Sequence, residues 1–155
     1  MPPKIYVDCV SQAEGIPTSR SIRRWVRGAL PPEHTAATLC VRIVDEEEAR
    51  TLNARYRRRA YASNVLSFRA DIPPELGLAV LGDIVICAPV VLREAHEQGK
   101  PSRAHWAHML VHGTLHLLGF DHQRVHDATH MESLEREILA TLKFPDPYAC
   151  NGKHN

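Results

Sequence analysis

The stretch SRAHWAHMLVHGTLHLLGFDH, residues 102–122, decides how the C-terminal half of this chain is organised. Read as one helix from a Ser102 cap to Gly119, it stacks residues four apart on one face. His112 and His116 then lie about 6 Å apart along the axis, close enough for both rings to converge on one ion. Gly119 suits the left-handed turn that commonly ends a helix. A chain folding back at that turn brings His122 in as a third ligand. The plainer alternative for the His112–His116 pair alone is two histidines on a half-buried helix. The turn and the returning His122 argue against it.

Three imidazoles without a fourth protein ligand leave a coordination position for water or substrate, the property that separates catalytic from structural zinc. A zinc ion in such a site lowers the pKa of its water toward about 7 and polarises a phosphoryl or carbonyl oxygen. Imidazole also suits copper, iron and nickel, so the expectation is one metal ion, with zinc preferred. His105 and His108 share the stripe. Because His108 to His116 spans roughly 12 Å of rise, His108 reads as a packing or rim residue. Asp121, next to a ligand, suits accepting a ring N–H or orienting water. Gly113 stands where a zinc protease of the H-E-x-x-H type carries its general base.

Upstream, strands alternate with helices. KIYVDCV, ATLCVRIV, NVLSF and LGDIVICAP read as four strands. PTSRSIRRWVRGAL, DEEEARTLNARYR and PVVLREAHEQG read as helices, and DATHMESLEREILATL follows the histidine stretch. The expected fold is α+β: a single domain over 1–144, with a small mixed sheet of about four strands packed with helices and the metal site on a helix of the C-terminal half. Residues 145–155 read as a loose tail.

With 155 residues, 44% apolar and 24% charged, the chain has the composition of a globular protein. Its net charge of +1 advertises no global attraction to polyanions. The distribution is less even, since 15 of the 19 basic residues are arginine, clustered at Arg20, Arg23, Arg24, Arg27 and at Arg55, Arg57, Arg58, Arg59. Arginine favours planar, bidentate contacts to phosphate and carboxylate, although a solvated helix face is the plainer reading of either cluster. Four separated cysteines, no apolar h-region at the N-terminus and no apolar run approaching 18 residues lead to the expectation of a cytoplasmic protein without a membrane partner.

HGTLHLLGFDH resembles the H-G-x-L-H-L-x-G-[YF]-D-H signature of the YbeY-type endoribonucleases, bacterial rRNA maturation factors. LNARYR, SNVLSF, LGDIVI and the helix MESLEREIL agree in order, so the resemblance covers about residues 40–142. It implies a zinc-dependent, single-strand-specific endoribonuclease acting in 16S rRNA maturation, especially at the 3′ end, and in ribosome quality control. Its partners would be RNA and the ribosome or proteins associated with it, not DNA. It assigns the metal to His112, His116 and His122, and a phosphate-engaging role to Arg57, with Arg58 and Arg59 as general phosphate contacts. Zinc-activated water or an RNA 2′-OH would attack a phosphodiester held by zinc and Arg57. Two positions depart from the pattern: Arg69 stands where Pro is usual and Cys87 where Ser is. Asp83 in LGDIVI reads as a turn residue. Two other functions compete: a zinc peptidase or amidase, which needs a carboxylate base that the motif does not place, and a non-catalytic ribosome-assembly factor.

Overall fold

In the computed structural model, residues 3–34, 36–72, 76, 79–120 and 125–149 are described. Strands β1 (Lys4–Cys9), β2 (Thr38–Val44), β3 (Val65–Arg69) and β4 (Val80–Cys87) form one sheet in the order β1-β2-β4-β3. β1, β2 and β4 run parallel, and β3 pairs antiparallel with β4. Among the described residues five α-helices accompany them: α1 (Ser19–Ala29), α2 (Glu46–Arg57), α3 (Ala88–Glu97), α4 (Ser102–Leu117) and α5 (Val125–Thr141). The α+β reading with a four-stranded mixed sheet holds.

α4 is the central element. Of its 16 residues, 11 are buried, so it has no solvent face of ordinary width and must be covered on several sides. It rests on β3 and β4 and is flanked by α1, α3 and α5. The main core lies here, with Trp25, Ile43, Ile84, Trp106, Leu110, Met131 and Leu139 nearly inaccessible. α2 contacts β4 and α3, and a smaller apolar cluster of Val44, Ala49, Leu66, Val85, Cys87 and Val90 forms there.

Two local expectations are revised. Ser102 is the first helical residue of α4 rather than its cap; Pro101 occupies the cap position and no side chain bonds the free N–H groups. The segment 145–149 is tied down instead of loose: Asp146 accepts from Arg136 Nε at 3.2 Å, and the Tyr148 ring packs edge-on against His108.

Gly113 explains how α4 approaches the sheet so closely. A Cβ built there would meet Ile84 Cγ2 at 3.0 Å, and Ser67 Oγ and Val65 Cγ2 at 3.2 Å. Ser67 Oγ also donates to the Gly113 carbonyl at 2.9 Å, fastening the helix to β3. The residue after His112 therefore faces the sheet, and no glutamate could stand there without moving the helix. Gly113→Ala is expected to destabilise the fold by about 1–3 kcal/mol, the usual cost of overpacking. Urea unfolding measures it, and an unchanged midpoint would show that the contact gives way freely.

Candidate metal centre and phosphate cleft

The last two turns of α4 present His112 and His116, whose Nε2 atoms lie 3.1 Å apart with ring centroids at 4.6 Å. Two nitrogens bound at about 2.0–2.1 Å to a tetrahedral ion stand about 3.3 Å apart, so the pair is spaced to share a cation. After Leu118 the chain turns at Gly119, whose φ of 102° lies in the left-handed region. Gly119 N–H bonds the His116 carbonyl at 3.0 Å, and Phe120 N–H bonds the Leu115 carbonyl at 3.0 Å. Phe120 then packs edge-on against His130 of α5. His122, the third expected ligand, and Asp121 lie outside the described residues. Among the described residues no set of three metal-binding side chains assembles.

Behind His112 stands a group that the sequence reading missed. Glu135 of α5 is fully buried, and its Oε2 accepts from His112 Nδ1 at 2.5 Å. Its Oε1 accepts from His108 Nε2 at 3.1 Å and from the Tyr148 hydroxyl. Burial alone would raise this carboxyl, but the hydrogen bonds and charge of His108 and His112 outweigh it and hold it down to about 2. Burial and the bond to Glu135 push the Tyr148 hydroxyl up, so it remains a donor. A carboxylate can only accept, which fixes the proton of His112 on Nδ1 and directs Nε2 toward His116. A carboxylate behind an imidazole is the usual support of a metal-binding histidine. His108 is thus a buried partner of Glu135, in agreement with its reading as a packing residue. A sequence signal for Glu135 existed: Met131, Glu135 and Leu139 recur every four residues on the buried stripe of α5, where a carboxylate is out of place.

His112 and His116 line a cleft of about 330 Å³ together with Arg57, Arg59, Asn53, Tyr61 and residues 63–67. Arg57 ends α2, and its Nη2 donates to the Ser67 carbonyl at 3.0 Å. That bond aligns the guanidinium along β3 and leaves other N–H groups for a ligand. Arg58 adopts the left-handed conformation that stops α2, and Arg59 points into the cleft wall. Asn53, buried beneath the turn, donates to the Tyr61 carbonyl at 2.7 Å and shapes the loop that follows. Neither Asn53 nor this loop was legible as part of the site. Among the described residues lining the cleft there is no carboxylate.

The remaining positions fall elsewhere. Asp83 is a strand residue, not a turn residue. It lines a separate cavity of about 470 Å³ with Cys40, Arg42 and Tyr56, while its neighbour Ile84 faces α4. That cavity is larger, but it lacks the converging imidazoles. Cys87 is fully buried where β4 meets α3, and burial pushes its thiol up, so this departure is a packing substitution. Arg69 ends β3, with its guanidinium about 4 Å from the Cβ position of Gly119 at the C-terminal end of α4. A cation there suits the helix dipole.

Comparison with known proteins adds the context of this geometry. A family model described as Endoribonuclease YbeY matches residues 9–143. An endoribonuclease YbeY of Xanthomonas campestris is 57% identical over 139 residues, covering 87% of this chain and 86% of that protein. One from Cellvibrio japonicus is 51% identical over 146 residues, covering 94% and 82% respectively. A solution structure of a Thermotoga maritima protein shares the fold, with a TM-score of 0.55 and 19% identity over 93% of this chain and 99% of that one.

One wall of the cleft is held by a second, half-buried carboxylate. Asn64 donates to Glu94 at 3.1 Å, and His105 Nε2 donates to the same carboxylate at 2.9 Å. Burial tends to raise the Glu94 carboxyl, but the bonds from His105 and Asn64 prevail and hold it below its ordinary range. A depressed folded pKa stabilises above the unfolded value of about 4.3, and that contribution is lost as pH falls through the folded value. Glu94→Gln should therefore be less stable than the parent at neutral pH, with the gap closing in acid. Urea titrations across pH measure this; a gap independent of pH contradicts it.

Proposed function

The chain belongs to the YbeY endoribonuclease family, and from that premise we propose that it is a zinc-dependent endoribonuclease specific for single-stranded RNA. The observation that carries the reading is a cleft that joins a converging imidazole pair to Arg57 and Arg59 and contains, among its described lining residues, no carboxylate. Such a site attracts an anionic phosphodiester. Among its described lining residues it holds no carboxylate to serve as the general base a peptidase needs, and the contact of Gly113 with the sheet removes the position that base takes in the H-E-x-x-H pattern.

His112, His116 and His122 are the proposed ligands of one zinc ion. When bound, the ion supplies Lewis acidity toward a phosphoryl oxygen and toward the attacking hydroxyl, whether of water or of an RNA 2′-OH. Glu135 keeps the His112 proton on Nδ1, so that Nε2 presents its lone pair on the side of His116. Arg57, braced on the Ser67 carbonyl, offers its free N–H groups to a nonbridging phosphate oxygen and stabilises the charge that grows in the transition state.

The biological setting proposed is cytoplasmic maturation of the 16S rRNA 3′ end and ribosome quality control, with the ribosome or its associated proteins as partners. Family membership supports this reading. Among the described residues no helix is long and apolar enough to cross a membrane.

Cleavage of a single-stranded rRNA fragment by purified protein tests the reading. Arg57→Ala should lower the rate about 10²–10³-fold, as removal of one preorganised charge-stabilising donor does elsewhere. His116→Ala, or thorough chelation, should abolish cleavage, and full activity after either would overturn the proposal. Glu135→Gln should weaken zinc binding about 10–100-fold in a chelator competition. Unchanged affinity would show that the carboxylate serves the fold alone.

A further inference from the structure

The arginine cluster of α1 plays no part in the cleft. The core side of α1 is Ile22, Trp25, Val26 and Ala29. Arg20, Arg24 and Arg27 fall on the opposite side and are exposed. They follow one another at spacings of four and three, so they form a single ridge of about 10 Å. Among the described residues none of the three has an ion-pair partner. α1 contains no acidic residue.

Arg103, from the first turn of α4, adds a fourth cation beside this ridge. Its guanidinium stacks over the Trp25 ring at 5.0 Å and donates to Ser21 Oγ at 3.4 Å. The concentration of charge opposes stability. Like charges three and four residues apart repel, and cations in the first turns of α1 and α4 run against the helix dipoles. A merely solvated face would be expected to intersperse acids, as α5 does in pairing Arg136 with Glu132.

We infer that the exposed face of α1, carrying Arg20, Arg24 and Arg27, is a second contact surface for the sugar-phosphate backbone of the RNA substrate, remote from the cleft. The inference rests on the endoribonuclease reading and extends it to how a long substrate is held. Charge complementarity identifies the occupant: the substrate of an endoribonuclease is itself an anionic polymer, and guanidinium forks match its phosphates. Arg103 and Ser21 mark the N-terminal end of α4 and His116 its C-terminal end, roughly 20 Å away by helical rise. A short oligonucleotide therefore occupies the cleft alone, whereas a long strand can reach both places.

The test compares the parent with the triple variant Arg20→Gln, Arg24→Gln, Arg27→Gln, using a short single-stranded oligonucleotide and a long unstructured one. The three side chains are exposed, so the fold should persist, which a thermal melt verifies. Affinity for the long RNA should fall, and its slope of log K against log salt should shrink by about 2, given about 0.7 for each phosphate contact to a single strand. Cleavage of the short oligonucleotide should not change. The triple lysine variant should keep the parental salt slope. An unchanged affinity and slope on the long RNA, or an equal loss on both substrates, would overturn the inference. Binding and cleavage are read separately. A parent that binds long RNA through this face but cleaves neither substrate would sink the nuclease reading and leave the surface standing.

Discussion

The site depends on one buried carboxylate. Glu135 sits in the apolar seam between α4 and α5, where an uncompensated charge would be costly, and three donors surround it. Removing a partner from such a cluster is more damaging than never having built it, because the charge remains buried. The arrangement therefore locks α4, α5 and the segment around Tyr148 into one relative placement. The same bonds decide which nitrogen of His112 carries a proton. A constraint on folding and a constraint on chemistry are here the same set of hydrogen bonds.

The second constraint is the close contact at Gly113. Because α4 lies directly on β3 and β4, the rings of His112 and His116 emerge beside the strand whose Ser67 carbonyl braces Arg57. A larger residue at 113 would lift the helix and separate the imidazoles from the guanidinium. The glycine that disqualifies the protease pattern is thus what brings the two halves of the proposed phosphate site together.

Much of this could be read from the sequence because it is local. Hydrophobic periodicity and proline and glycine punctuation located the strands and helices, and the four-residue spacing of His112 and His116 put both rings on one face. What escaped the reading depends on contacts distant in the chain. Glu135 is 23 residues beyond His112, and among the acids of α5 only its place in the stripe of Met131 and Leu139 sets it apart. Tyr148 follows two prolines in a segment without periodicity that reads as unstructured, yet its hydroxyl completes the shell of Glu135. Asn53 and Asn64 act on backbone and side-chain partners across a loop, which no periodicity announces. Asp83 was misplaced because an acidic residue next to glycine resembles a turn, whereas the register carries β4 straight through it.

The proposed role of His112, His116 and His122 is to hold one catalytic zinc ion, with Glu135 fixing the orientation of His112. Zinc K-edge absorption of the purified, zinc-loaded protein addresses it most directly. The account predicts one ion per chain with three imidazole nitrogens at about 2.0–2.1 Å and a lighter oxygen neighbour completing the shell. A sulfur shell, fewer than three imidazoles, or a chain that retains no zinc would contradict it.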